Sequence, residues 1–279
     1  MKTKFADLHI HTRYSDGTYK VAEVFRIAKK FKFSAVSITD HDSADSYPEA
    51  KELSRNFGIE IIPGVELSCD YGGLDIHILG YFFDPKDQKL KNYLKDFKDA
   101  RADRAKKMTE LLQGDGINVS YEDVLRISPD GTIARPHIAQ LLIEKGYAYS
   151  IQDAFVKYIG SDSKYYVDKY KIGPEEAVDL VHKSGGLAFV AHPFYLKDSP
   201  EILDMLIENK IDGIETIHSS YDEEMRKYLE GMAASNRLLR SGGSDCHGRR
   251  KTGKRLMGEY FIPYSYIEAM KEKLGGKGK

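Results

Sequence analysis

Short runs of strand-forming residues recur along the chain, and most carry a histidine or a carboxylate at or near their ends. They read FADLHIH, SAVSITDHD, IEIIPGVELS, DIHILGYFF, GGLAFVAHP, DGIETIHSS and RLLRSGGSDCHG. Helical patterns separate the first three. Residues 20–31 place Val21, Val24, Phe25 and Ala28 on one face. Residues 46–57 carry Pro48 in a first turn and Gly58 just past the end. Strands alternating with helices predict βα units in an α/β fold with a mostly parallel sheet, either a barrel or an open sheet. In both architectures the carboxyl ends of the strands meet on one rim, where βα enzymes keep their sites.

The alternation stops between about residues 88 and 170. QKLKNYLKDFKDARADRAKKMTELLQGDG reads as a long charged helix ended by Gly114 and Gly116. Further helical stretches are expected near 120–127, 136–145 and 150–158. The pattern returns at Pro174. The expected organisation is therefore a βα framework over 1–87 and 171–279, interrupted by a mainly helical insertion over 88–170.

In an extended segment, residues i and i+2 point the same way, so His9 and His11 project together and can grip one divalent cation. On this reading Leu8 and Ile10 face the other way, into apolar packing. HxH alone is also compatible with two surface histidines. The remaining runs add His41 and Glu66 past two strands, His77 inside one, His192 at a strand end, and Asp245 with His247 repeating the i, i+2 spacing. Asp16 sits in the SDG turn that follows the first histidines. Taken singly, Glu66 and Asp16 read as turn residues, His77 as a satisfied core histidine and Asp245 as a helix cap. Their shared placement is what points to one centre. A donor set of imidazoles and carboxylates without thiolate suits Zn, Mn or Fe, and it is too large for one structural tetrahedral site.

DLHIHTRYSDG, ITDHD, PGVELS, IHILGYF, AHP and GSDCHG, in that order, resemble the polymerase-and-histidinol-phosphatase (PHP) family of metal-dependent phosphoesterases. The resemblance spans residue 5 to about residue 260. It implies a distorted (β/α)7 barrel with two or three divalent metal ions (Mn, Fe or Zn) at the carboxyl rim. By motif, His9, His11, Glu66 and Asp245 would hold one ion. Glu66 would bridge to a second, shared with His77 and His192. Asp16, His41 and His247 would hold a third. The insertion, with GTIARPHIAQLLIEKGYA and AFVKYIGSDSKYYV, resembles that of the subfamily releasing the 3′-phosphate of nucleoside 3′,5′-bisphosphates, some members of which trim RNA from its 5′ end. The resemblance assigns Arg135 and His137 to substrate phosphate. Read alone, they are the start of a helix at Pro136. The subfamily's Gly-Lys-Pro is replaced here by Asp162, Ser163 and Lys164, which leaves the lysine one position later.

Clustered divalent ions acidify water and neutralise phosphoryl oxygens, so no side-chain nucleophile is required. His218 in IETIHSS is a candidate for protonating the leaving group. The expected substrate is a small phosphorylated molecule of the nucleotide class. The alternatives are a 5′→3′ exoribonuclease on short RNA, a histidinol-phosphate phosphatase and, in a different class, a non-catalytic polymerase-associated module. A metal-dependent amidohydrolase, which also carries HxH, would have a bridging lysine where this chain has Glu66. A formal net charge of -1 argues against bulk nucleic-acid binding. The two cysteines, with no leader-like segment and no long apolar run, point to the cytoplasm and away from membranes. No motif points to a protein partner.

Overall fold

The computed structural model describes residues 4–128, 132–168, 170, 172–197, 199–248 and 256–276. Its strands are β1 (Phe5–Asp7), β2 (Ala35–Ile38), β3 (Glu60–Tyr71), β4 (Leu74–Tyr81), β5 (Leu187–Val190), β6 (Gly213–Ile217), β7 (Leu239–Gly242) and β8 (Ile262–Pro263). They form one eight-stranded sheet in the order β7–β6–β5–β4–β3–β2–β1–β8. The sheet curls until β7 meets β1. There the Leu8 N–H donates to the Gly242 carbonyl at 3.2 Å, and the His11 N–H to the Cys246 carbonyl at 3.0 Å. The seam is tight: a Cβ on Gly243 would lie 2.4 Å from the His9 nitrogen. The two-residue β8 pairs antiparallel with β1.

The pairs β1–β2, β2–β3, β5–β6 and β6–β7 are parallel. β4 runs antiparallel to both its neighbours, which is the distortion of this barrel. The cause is local. Gly72 and Gly73, with φ of 61° and 91°, make a tight reversal that returns the chain beside β3. β3 consequently continues through Glu66 to Tyr71 instead of ending before it. The β4 register sets Ser68 opposite His77.

The helices are α1 (Val21–Lys30), α2 (Tyr47–Phe57), α3 (Gln88–Gly114), α4 (Tyr121–Ile127), α5 (Arg135–Glu144), α6 (Ile151–Ala154) continuing into a π-helical turn at Phe155–Ile159, α7 (Pro174–Lys183), α8 (Glu201–Glu208), α9 (Glu223–Ser235) and α10 (Ser265–Gly276). α1 buries Val21, Val24, Phe25 and Ala28, the stripe visible in the sequence. α2 carries Pro48 in its first turn and stops at Gly58, whose φ of 64° terminates it.

Inside the barrel, Ala6, Leu8, Ala35, Ile62, Leu79, Tyr81, Phe189 and Ala191 meet, with Ile267 and Met270 of α10 packed beneath. Ile10 instead joins the outer layer with α1 and α2. The regular alternation expected for Leu8 and Ile10 therefore fails, because β1 ends at Asp7 and its pleat does not continue. The first half of α3 packs Leu90, Leu94 and Phe97 onto the outer face of β3 and β4. Its second half leaves the barrel, and Ala105, Met108 and Leu112 start a separate helical cluster with α4, α5 and α6. Each fully buried Leu, Met or Phe side chain contributes about 1.5–3 kcal/mol. Arg101 and Arg104 fall where α3 crosses from one cluster to the other. The Thr132 N–H donates to the Tyr14 carbonyl at 2.9 Å, tying the helical segment to the loop after β1.

Candidate metal centre

All the histidines and carboxylates singled out as ligands converge at the barrel mouth. Glu66, fully buried in β3, lies at the middle. Its Oε2 is 3.1 Å from His9 Nε2 and 3.0 Å from His11 Nε2. Asp245 Oδ1 stands 3.1 Å from His11 Nε2 and 3.5 Å from His9 Nε2. The other oxygen, Oε1, is 2.8 Å from His77 Nδ1 and 3.0 Å from His192 Nε2. His247 Nε2 lies 3.1 Å from Asp16 Oδ1, with His41 Nε2 4.0 Å from the same oxygen. His41 Nδ1 is also 3.3 Å from Glu66 Oε2.

The donor set fits divalent cations. His9 Nε2 and His11 Nε2 are only 3.1 Å apart. Two lone pairs cannot face each other at that distance without a proton or a cation between them. The buried nitrogens His11 Nδ1, His41 Nδ1 and His247 Nε2 have carboxylate oxygens within 4 Å but no partner in hydrogen-bond geometry. Three groups of donor atoms, each within 4.8 Å of one another, can be drawn among the described residues: His11, Asp16, His41 and His247; His9, His11 and Glu66; His41, Glu66 and His77. Cys246, between Asp245 and His247, is buried and packs outward with the α1–α2 layer, so the donors are nitrogen and oxygen alone.

Backbone strain accompanies this convergence. Asp42, His192 and Asp245 have φ of 50°, 29° and 48°, a region that side chains with a Cβ rarely occupy. The turns at His192 and Asp245 bring their side chains to the centre, and that at Asp42 turns its carboxylate to Ser68 and Arg101. Burial disfavours a charged imidazole at His9, yet Glu215, Glu66 and Asp245 outweigh it and raise the group well above its usual range. Burial likewise opposes ionisation of Glu66 and Asp245, but the surrounding histidines hold both well below the usual carboxylate range. Carboxylates that favour positive charge at His9 and His11 also favour a divalent cation, whereas at His41 burial outweighs them and pushes the imidazole down.

The sequence reading missed Glu215 and assigned no role to Asp40 and Asp42 in SITDHD. Glu215, in β6, is fully buried; His9 Nδ1 donates to its Oε1 at 2.9 Å, and the His192 N–H donates to its Oε2 at 2.7 Å. The contact turns His9 Nε2 toward the centre. An acidic residue within the apolar run GIETI was the available signal, since carboxylates are almost never fully buried without a partner. Asp40 accepts from the Thr12 N–H, the Thr12 hydroxyl and the Ser15 hydroxyl at 2.7, 2.7 and 2.8 Å, which shapes the loop carrying Asp16. Asp42 accepts from Ser68 and is paired with Arg101.

His218 lies beside the centre and is aimed at Asp245. Its Nδ1 accepts from the Ser220 N–H at 3.1 Å, so the neutral ring carries its proton on Nε2, 3.2 Å from Asp245 Oδ2. Arg135 opens α5 and lies over the rings of Phe155 and Tyr166, at 5.1 and 5.6 Å. With Arg101 and Arg104 it lines one small cavity between α3 and the start of α5. Burial, with the guanidiniums of Arg135 and Arg101 adding to it, pulls Arg104 down to about 10. His137 is buried in the first turn of α5 and accepts from the Ala134 N–H at 3.0 Å through Nδ1. Lys164 pairs with Asp115 at the end of α3. At a helical rise of 1.5 Å per residue, that is about 16 Å along α3 from Arg104.

Comparison with known proteins bears on this centre. The family model for the PHP domain matches residues 7–239. A 5'-3' exoribonuclease Rnm from Salmonella typhimurium is 32% identical over 247 residues, covering 86% of this chain and 84% of that one. A 3',5'-nucleoside bisphosphate phosphatase from Chromobacterium violaceum is 30% identical over 254 residues, covering 89% of each. Among solved structures, a protein from Bifidobacterium adolescentis described as a metal-dependent phosphoesterase superposes with a TM-score of 0.86 at 31% identity, covering 95% of this chain and 94% of that one.

Proposed function

The chain belongs to the PHP family of metal-dependent phosphoesterases, and we propose that it removes the 3′-phosphate of nucleoside 3′,5′-bisphosphates. The observation that carries this reading is the cluster of Arg101, Arg104 and Arg135, of which Arg101 reaches Asp42 and Ser68 beside the candidate ligands. Arg101 pairs with Asp42, next to His41, and its Nη2 also donates to Ser68 Oγ at 2.9 Å, opposite His77 in the sheet. A substrate with two phosphates would find a partner for each, one on the cations and one on the arginines. Guanidinium groups suit phosphate because they offer paired N–H donors in a rigid fork.

Two or three divalent ions (Mn, Fe or Zn) would be held by His9, His11, Glu66 and Asp245, by Glu66 with His77 and His192, and by Asp16, His41 and His247. When bound, they supply Lewis-acid charge to the phosphoryl oxygens and acidify water. The chain's own residues do the rest. Glu215 fixes the His9 tautomer, His218 orients Asp245, and Arg135 with Arg101 and Arg104 anchors the phosphate that is not cleaved. The helical segment 88–170 acts as the substrate-reading module over the barrel.

A second reading, 5′→3′ exoribonuclease activity on short RNA, draws support from the Salmonella relative. Both substrates begin with a 5′-phosphorylated nucleoside, and in both the cleaved ester lies at the 3′-oxygen. One geometry therefore serves both. No helix among the described residues is long and apolar enough to cross a membrane. Two buried free cysteines suit a reducing cytoplasm.

The test offers manganese-loaded enzyme a nucleoside 3′,5′-bisphosphate, a 5′-phosphorylated oligoribonucleotide and histidinol phosphate, with metal content measured alongside. The bisphosphate should give the highest kcat/KM, on protein holding two or three metal equivalents. Preference for histidinol phosphate, or less than one equivalent after reconstitution, refutes the proposal.

A further inference from the structure

Across the mouth from the arginines the rim is aromatic. His192 and His218, past β5 and in the loop after β6, have ring centroids 5.6 Å apart. Tyr221 adds a ring 5.2 Å from His218. Phe194 lies nearly parallel to His192, with centroids 6.2 Å apart and planes at 27°. It opens a short 3-10 turn, Phe194–Lys197, and its N–H donates to the His192 carbonyl at 2.7 Å. The ring is thereby held beside a candidate ligand, yet it is 55% exposed, the most of any described phenylalanine. An exposed phenylalanine fixed against a polar site is a surface built for a flat apolar partner.

We infer that Phe194, backed by His192, is a stacking platform for the nucleobase on the 3′ side of the scissile phosphate in an RNA substrate. The inference rests on the second reading above and specifies the site it would use. Its direction follows from the order of groups across the mouth. Arg101 touches Asp42 and Ser68, beyond β2 and in β3. Glu66 comes next, followed by His77 and His192, whose nitrogens are 3.2 Å apart. Phe194 is last. A nucleotide with its 5′-phosphate on the arginines and its 3′-phosphate at Glu66 and His77 spans the first part of this line. A bisphosphate ends there, so only the next nucleotide of an RNA reaches Phe194. Stacking on an aromatic side chain is tolerant of base identity, and truncating the ring lowers affinity by roughly five- to a hundredfold.

The experiment measures kcat/KM of wild type, Phe194→Ala and Phe194→Tyr on three substrates. These are a nucleoside 3′,5′-bisphosphate, a 5′-phosphorylated dinucleotide, and the same dinucleotide made abasic at its second position. Wild type should prefer the complete dinucleotide over the abasic one by about tenfold. Phe194→Ala should abolish that preference and lower the dinucleotide-to-bisphosphate ratio by a similar factor, and Phe194→Tyr should restore both. An unchanged preference in Phe194→Ala overturns the inference, as does an equal loss on all three substrates, which would mean that the ring merely supports His192. Wild type that cleaves the bisphosphate but no dinucleotide overturns both this inference and the RNA reading, leaving the phosphatase reading intact. Cleavage of complete and abasic dinucleotides at equal rates overturns only the platform.

Discussion

Replacing Glu215 by glutamine preserves shape but removes one acceptor and the negative charge that faces His9. In the native protein both carboxylate oxygens accept, from His9 Nδ1 at 2.9 Å and from the His192 N–H at 2.7 Å. The amide has one accepting oxygen for these two donors. If its NH2 faces the His192 N–H, two buried donors oppose each other. If it faces His9, the ring must accept at Nδ1 and carry its proton on Nε2, the nitrogen aimed at Glu66 and His11. Leaving one buried donor unsatisfied costs about 1–3 kcal/mol, roughly five- to 150-fold in an equilibrium at 1.4 kcal/mol per decade. Loss of a hydrogen-bond partner behind a metal ligand falls in the same range, about 10- to 100-fold. The Glu215→Gln protein should therefore bind Mn2+ about 10- to 100-fold more weakly by calorimetry, and its rate should recover partly at high metal. Nitrogen-15 shifts of the apo protein at a pH where His9 is neutral should report a changed tautomer. A glutamine variant with wild-type Mn2+ affinity and an unchanged His9 tautomer would refute this account of the centre.

Glu66→Gln should lower turnover by at least about a hundredfold, the scale for removing a preorganised transition-state contact. Its two oxygens serve two separate sets of histidines, and near-normal rates with retained metal would exclude that role. Arg135→Ala should lower kcat/KM for a 3′,5′-bisphosphate roughly ten- to a hundredfold, as expected for a charge-assisted contact of about 1.5–3 kcal/mol. A small phosphomonoester should lose much less, and equal losses would make Arg135 structural. Far from the mouth, Asp212 accepts from His182, Lys273 and the Ala188 N–H; although burial opposes it, these partners lower its carboxyl to about 2 from a usual 3.8. Because the folded value is the lower one, this stabilisation, about 2 kcal/mol, is complete above about pH 4. It is lost as pH falls toward 2, so acid unfolding of wild type and Asp212→Asn should converge there. Parallel curves across that window would count against it.

The candidate ligands were legible in the sequence because most stand at or just past the end of a β-forming run, and a βα fold brings such ends together whatever their separation in sequence. The α1 stripe, the Pro48 and Gly58 boundaries of α2 and the helical character of residues 88–170 were legible for the same reason, since periodicity and capping are local. Residues whose role depends on a partner distant in the chain were not legible. Arg101 and Arg104 sit in a run of charge that reads as a solvated helix face, and only the crossing of α3 from barrel to insertion buries them beside Arg135. Glu215 is one acidic residue in one strand until β6 brings it against His9. The antiparallel course of β4 turns on a two-glycine reversal, and that course carries His77 to the mouth opposite Ser68. Sequence determined which groups could do the chemistry, because side-chain type and backbone period are properties of a segment. The tertiary structure decided which nitrogen faces the centre and which guanidiniums share a cavity, because hydrogen bonding and burial are properties of pairs.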